Sequence, residues 1–415
     1  MEQNSVLISG AGIAGPAAAY WLRRAGFSPT VVERAPAPRP GGQAVDLRGA
    51  GRTVTGRMGL LDRVREVALV QKGFAYVDTR GRITARMPAD AFGGEGIVSE
   101  IEVLRGDLCR VLYEASLPGT EYLFDDTITG LEQDDRGVSV AFERAASRRF
   151  ALVVGADGLH STVRRLAFGA DSDCLRPFDL YNAWFTAPAD IDLEGWFLMY
   201  NAPGGLVASA RPGRRADEIK AGLSFRSQPL TYERRERAAQ QELIASRFAG
   251  AGWEVDRLLD AMRQAADFYF DSVGQVHLDE WARDRVVLLG DAGYCPSPLS
   301  GLGTSLALVG AYILVGELVA AGGDHRIAFQ RYQQRLNGYV AQAQQLPPGG
   351  VNGFAPMSAQ MIRLRAASLR WITRWPLRAL VGGQFTRADA IELPLYESWP
   401  ERRDSIVPGL SVSPN

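Results

Sequence analysis

The sequence predicts an α/β protein: a nucleotide-binding domain built on a βαβ unit, interrupted by an antiparallel β-sheet domain and followed by a C-terminal helix. Three observations carry the prediction. A glycine-rich turn separates two apolar β-runs near the N-terminus, two later apolar runs each end at an acid, and strand-like segments fill the interval between those two runs. At about 150 residues per domain, 415 residues leave room for two or three domains.

The first element is the run Ser5–Ser9, followed directly by Gly10-Ala-Gly12-Ile-Ala14-Gly15 and by a helix-forming stretch that Gly26 closes. Thr30-Val-Val-Glu33 is a second strand ending in an acid, which completes a Rossmann-like unit. Gly10 permits the tight turn, Gly12 lets the backbone approach a pyrophosphate, and Gly15 lets helix and strand pack closely. Free N–H groups and the helix dipole favour phosphates at the helix start. Glu33 lies where a carboxylate accepts from both ribose hydroxyls of an adenosine, and it would repel a 2′-phosphate.

Two further strands follow the same logic. Phe150–Val154 ends at Gly155-Ala-Asp157-Gly158, and Arg285–Leu289 ends at Gly290-Asp291. Ligands of an open parallel sheet bind beyond the carboxyl ends of its strands, so both acids point into the cofactor crevice. Asp291 suits a sugar-alcohol hydroxyl. The turn Gly301–Ser305 presents N–H groups ahead of a helix expected over Leu306–Ala320, a second positive dipole end.

Composition narrows the chemistry. Forty-six Lys and Arg balance 47 Asp and Glu, which argues against a nucleic-acid partner. Three cysteines and three histidines are too few for a disulfide framework or a His-rich metal centre, so no metal is expected and an organic cofactor is. The N-terminus lacks the basic flank of a signal peptide, and the apolar stretch from Thr304 reads as too short for a membrane span. A cytoplasmic protein without a stable membrane anchor, monomeric or homodimeric, is the expectation.

With these motifs in order, the chain resembles the single-component flavoprotein monooxygenases typified by para-hydroxybenzoate hydroxylase. It is most similar to their compact tetracycline-inactivating and aromatic-polyketide-modifying members. The GxGxxG with Glu33, the Asp157-Gly158 pair and the Gly290-Asp291 pair are the family's three motifs. Gly41-Gly42-Gln43-Ala-Val-Asp46 and Leu104-Arg105-Gly-Asp-Leu extend the likeness over residues 5 to about 320. The resemblance implies FAD as cofactor, NADPH or NADH as co-substrate, and O2 activated as a flavin peroxide to hydroxylate an aromatic or polyketide-like molecule. Ketone insertion and a non-oxygenating oxidoreductase stay open, as does a flavin-loaded sequestering protein. It places Arg34 beside the adenine, and Gln43, Asp46 and Arg105 along the flavin and its chain. Asp157 would serve both FAD and transient nicotinamide, Asp291 the ribityl chain, and Pro298, Gly301, Gly303 and Thr304 the ring. Arg39, just ahead of Gly41-Gly42, is a candidate nicotinamide-phosphate contact by its position, with a solvated loop arginine as the favoured reading. The chain departs from better-known members at Gly293-Tyr294, where they carry Ala-His, and at Gly303-Thr304, where they carry Gly-x-Asn. No side chain is assigned as an essential acid or base.

Domain limits follow from the texture: residues 1–75, 100–172 and 276–345 for FAD, 76–99 and 173–275 for substrate, and 346–415 for a bridging helix and tail. Strands are expected at Asp179–Thr186, Trp196–Tyr200, Gly205–Ala210 and Glu218–Phe225, then helices near 232–249 and 255–265. Gln43, Arg48, Trp184, Phe185, Met199, Phe225 and Phe268 are the candidate pocket residues, with simple core packing as the competing reading. His160 reads as a turn residue, His277 and His325 as surface or strand-end residues. A helix interrupted at Pro376 is expected over Met357–Leu380.

Overall fold

The computed structural model describes residues 4–94, 96–233, 236–372 and 390–396. Its first sheet runs in the order Ala282–Arg283, Val286–Leu288, Leu152–Gly155, Ser5–Ser9, Ser28–Glu33, Glu121–Phe124. Every pair is parallel except the edge pair Ala282–Arg283 with Val286–Leu288. Parallel strands are covered on both faces, which is why Val6–Ile8 and Val286–Leu288 are unbroken apolar runs, fully buried. The crossover after Ser5–Ser9 is the helix Ala14–Arg24, and Gly26 turns the chain at φ 85°. The expected run Phe150–Val154 divides: Arg148–Phe150 joins a small three-stranded sheet, while Leu152–Gly155 joins the parallel one. Ala151 marks the change, its N–H donating to the Ser5 carbonyl.

The helix Gly303–Ala320 occupies the centre of the helical layer, against Ala14–Arg24, Gly49–Arg57 and His325–Ala343. It is apolar all round because it is enclosed on every side. It begins three residues earlier than expected and is 18 residues long, so it is long and apolar enough to cross a membrane; 83% of it is buried within the protein. The reading of this segment as far short of a span understated its length.

The second sheet has seven strands, ordered Tyr269–Val276, Leu175–Pro188, Glu218–Arg226, Leu206–Pro212, Trp196–Ala202, Gly73–Val77, Ile83–Pro88. The four expected strands are present and mutually antiparallel. However, Trp196–Ala202 pairs in parallel with Gly73–Val77, so the sheet is mixed. A parallel neighbour cannot be reached by a tight turn and must come from distant sequence, which local patterning does not show. The whole strand Gly73–Val77 lies in this sheet, so the chain has crossed over ahead of residue 73, slightly before the expected boundary.

The two faces of this sheet differ sharply. Tyr181, Ala183, Phe185, Ala221, Leu223 and Phe225 lie on one face under the helices Arg237–Phe248 and Val255–Gln264. The alternate residues Asn182, Trp184, Ser209, Arg211, Lys220 and Ser224 lie on the other, with Phe197 and Met199. The C-terminal helix Ala359–Ile372 packs against the same region, on Ile83–Pro88 and Trp196–Ala202. The remainder of the expected helix, with Trp375, Pro376 and Leu377, lies outside the described residues. Residues 390–396 rest on the parallel-sheet side, where Arg57 and Tyr312 donate to the Pro394 carbonyl and Tyr396 donates to Glu317.

Candidate active site

The glycine turn is shaped by what it excludes. A β-carbon on Gly10 would lie 2.6 Å from the Ala156 carbonyl oxygen, and one on Gly15 only 1.9 Å from the Gly10 carbonyl oxygen. At Gly12 the neighbour of such an atom, among the described residues beyond its chain neighbours, is Arg105 Nη2 at 3.2 Å. Bare backbone at a helix start, with a guanidinium above it, is an anion-binding arrangement. Arg105 is held by its own backbone, which donates to the Gln43 carbonyl at 2.9 Å as the helix Arg105–Ser116 begins. Ala14, buried, starts the first helix and touches the space beside Gly290.

Glu33 sits at the end of its strand and is largely buried. Burial would raise its carboxyl, but backbone N–H groups of Ala11 and Ala35 and the Arg39 guanidinium, at 2.8 to 2.9 Å, hold it below its ordinary value. Ala11, Gly12, Glu33, Ala37, Pro38, Arg39, Arg105 and Cys109 line one small cleft at this end. Arg39, a candidate contact for a nicotinamide phosphate, is ion-paired with Glu33 at 2.9 Å in this cleft. Arg34 is exposed next to it.

The two other acids serve differently. Asp157 accepts from the Ser161 hydroxyl (2.5 Å) and from the Thr162 and Val163 N–H groups, so its carboxylate caps the helix Thr162–Ala167. Its carboxylate thus fixes the loop at the end of the strand Leu152–Gly155. Asp291 opens onto the crevice but is enclosed by protein on its other sides. Burial raises its carboxyl, against the opposing effects of a hydrogen bond from Cys295 and the charge of Arg105. It lies near the start of the Gly303 helix, 3.7 Å from where a Gly303 β-carbon would stand. Gly301 takes φ 67°, and a β-carbon there would approach Asp46 Oδ2 at 3.3 Å, so that turn and the Asp46 strand meet. Pro298 is exposed and Thr304 is buried along the same turn. Arg48 pairs with Asp46 at 3.1 Å and donates to the Gly96 and Ile97 carbonyls; its own carbonyl accepts from Ser305. Both charges of this pair are thus engaged beneath the flavin segment.

Over this crevice stands the polar face of the seven-stranded sheet. Trp184 lies across Gly222, where a β-carbon would be 2.6 Å from the indole, and Met199 is on the same face. Phe185, Phe225 and Phe268, expected in the pocket, are not there: they pack into the apolar layer under the two helices. The strand period of two shows that two faces exist but not which of them meets the crevice, so the candidates span both. Sequence reasoning also passed over Tyr269, Asp271, His160 and Arg211. Tyr269 is opposite Trp184 and donates to Asp271 at 2.8 Å, and His160 bonds the same carboxylate at 2.7 Å. Arg211 is paired with Glu102 and sits over the Phe197 ring, and burial lowers its guanidinium to about 10. The signals available were the parity of Arg211 and Asp271 with Trp184 along paired strands.

Comparison with known proteins agrees with this geometry. The family described as FAD binding domain matches residues 3–345. An uncharacterized protein of Mycobacterium tuberculosis is 45% identical over 358 residues, spanning 85% of this chain and 95% of its own. A flavin-dependent monooxygenase of Legionella longbeachae is 38% identical over 341 residues, spanning 82% of this chain and 87% of its own. The crystal structure of the tetracycline destructase Tet(55) superposes with a TM-score of 0.78 at 36% identity, covering 95% of this chain and all of that one. The bare glycine turn under Arg105, the buried acid Glu33 and the crevice acid Asp291 suit a dinucleotide such as FAD, and the chain belongs to the FAD-binding-domain family of flavin-dependent monooxygenases.

Proposed function

We propose that this protein oxygenates an aromatic or polyketide-like small molecule, consuming NADPH or NADH and O2. The observation that carries the proposal is one crevice with two unlike walls. The glycine turn, Arg105, Asp291 and the Gly301 bend form one wall, and the polar, aromatic sheet face with Trp184 and Tyr269 forms the other. They are close: the Arg105 charge reaches the Tyr269 phenol, and a β-carbon on Gly41 would lie 3.0 Å from Asp267.

In this reading Glu33 holds the adenosine ribose, Gly12 and Arg105 the pyrophosphate, and Asp291 the ribityl chain. Asp46, Gly301, Gly303 and Thr304 border the ring. Bound FAD supplies the hydride acceptor and the activation of O2. The protein's part is to place the substrate, exclude water and fix charge around it. Asp157 contributes by holding its loop. Residues 1–72, 100–172 and 276–345 serve the cofactor, 73–99 and 173–275 the substrate, and the described C-terminal residues 346–372 and 390–396 the link between them. The likeness to the tetracycline destructase structure supports a fused-ring substrate, and the Legionella relative's name supports a flavin-dependent monooxygenase.

The test is turnover by FAD-loaded protein. NAD(P)H oxidation and O2 uptake should rise together when a polycyclic phenol is added, giving a product one oxygen atom heavier. Binding of the phenol with no acceleration of either would overturn the proposal in favour of a sequestering protein.

A further inference from the structure

The C-terminal helix Ala359–Ile372 is apolar on two faces, and the fold accounts for one of them. Ala366 and Leu369 are buried, packed with Phe74, Tyr76, Phe197 and Met199 of the substrate sheet. Met361, Leu364, Ser368 and Trp371 form the outer face: at about 3.6 residues per turn they fall within about 80° of one another. Met361 is 37% exposed, Leu364 71% and Trp371 61%. The Ser368 hydroxyl among them donates back to the Arg365 carbonyl at 2.8 Å, so its proton is spent within the helix. A surface helix ordinarily turns charged and polar residues outward, and an exposed apolar row marks a contact with something else.

The charge beside this row has one sign. From Val351 to Ala388 the chain carries six arginines and no acid, although its net charge is −1. Arg363 and Arg370 are exposed and stand together on one flank of the row. Arg365, on the other flank, turns inward. It donates to Asn201 Oδ1 at 3.0 Å and to the Phe354 carbonyl at 2.8 Å, and its guanidinium lies 4.5 Å from the centre of the Tyr76 ring. The inner face and one arginine thus pin the helix to the sheet, and the apolar row and two arginines are left outside.

That charge selects the occupant. A second copy meeting this face about a two-fold axis would set arginines against arginines, with no acid of this segment between them. A bilayer rich in anionic lipid is complementary on both counts: it offers phosphates to the guanidiniums and acyl chains to the apolar row, and an indole suits the boundary between them. We propose that the helix Ala359–Ile372 rests on an anionic lipid surface, with Met361, Leu364 and Trp371 dipping into it and Arg363 and Arg370 at its headgroups. One stripe on one helix gives reversible attachment rather than a permanent anchor. The proposal goes beyond the monooxygenase reading and does not depend on it.

The test is flotation. FAD-loaded protein is mixed with vesicles of phosphatidylcholine, either alone or with about one third phosphatidylglycerol, and spun through a density gradient. The wild type should rise with the phosphatidylglycerol vesicles at low salt, stay behind with phosphatidylcholine alone, and be released at high salt. Leu364→Ser should weaken binding by about tenfold, the effect of withdrawing one buried leucine, and Arg363→Gln by roughly fivefold. Both variants should melt and carry flavin as the wild type does, because the altered side chains are exposed. Failure of the wild type to float, equal flotation with both kinds of vesicle, or flotation that neither substitution weakens would overturn the proposal. A dimer in sedimentation velocity that Leu364→Ser dissociates would overturn it too, since a second copy would then cover the row.

Discussion

Glu33 shows how a single side chain joins sequence to chemistry. Its hydrogen bonds from Ala11, Ala35 and Arg39 overcome burial and depress its carboxyl below 4.5. A depressed carboxyl adds stability above its unfolded value and loses it as pH falls through the folded one. Glu33→Gln should therefore lower the melting temperature of flavin-free protein at about pH 6, with the difference fading below about pH 4. Asp291 has the opposite sign. Its raised carboxyl opposes folding once ionised, so Asp291→Asn should raise the melting temperature of flavin-free protein at neutral pH, the gap closing in acid. The same change should weaken FAD binding by about tenfold in a fluorescence titration, because a carboxylate acceptor is lost. A variant that binds FAD normally would remove Asp291 from the cofactor site. Both acids were legible in the sequence because each ends an apolar strand run. The His160–Asp271 pair was not: its members are 111 residues apart, and neither stands in a pattern that announces the other.

Among the elements, the substrate sheet tests the assignment of faces. Phe225 is fully buried among Tyr181, Phe248 and Phe270, so Phe225→Ala should cost about 3–5 kcal/mol in urea unfolding. The KM for a polycyclic phenol should stay as in wild type, because the side chain faces the helices; an altered KM would return Phe225 to the pocket. The contact of the helices Gly49–Arg57 and Gly303–Ala320 is as demanding. A β-carbon on Gly51 would lie 2.6 Å from Ser305 Oγ and 2.8 Å from its Cα. Gly51→Ala should cost about 1–3 kcal/mol and loosen FAD, since Ser305 follows directly on the turn beside the flavin ring. Unchanged unfolding would mean that the two helices can part without loss. The strands from Asp179 to Phe225 were readable from their alternation, while Gly73–Val77 was not, because its parallel partner lies more than a hundred residues away.

At the scale of the molecule, two described C-terminal segments lie against different layers. The helix Ala359–Ile372 lies on the substrate sheet, and residues 390–396 lie on the cofactor side against the helix Gly303–Ala320. Tyr396 fills the space over Gly316, where a β-carbon would be 2.0 Å from its ring, and its hydroxyl donates to the buried Glu317, which also pairs with Arg335. Gly316→Ala should displace this segment, lowering the melting temperature by a few degrees, about the effect of 1–3 kcal/mol in a chain of this size. Limited proteolysis should then cut the C-terminal segment sooner than in wild type. Equal cleavage of both proteins would show that Tyr396 does not hold the tail.

What the sequence determined by itself was local: a turn that only glycine can make at Gly10 and Gly15, and acids placed where strands end. The positive φ of Gly10, the approach of Gly15 to the Gly10 carbonyl and the place of Glu33 are settled within some thirty residues, so spacing reveals them. The Ala156 carbonyl adds a distant wall at Gly10. Tertiary structure alone decided which face of each strand meets the cofactor, that Arg39 turns to Glu33, and that Asp157 caps a helix. It also set Tyr269 opposite Trp184 on one face of the substrate sheet. Alternation marks two faces on every strand, but which one is buried by helices and which opens to a ligand depends on layers supplied from elsewhere in the chain.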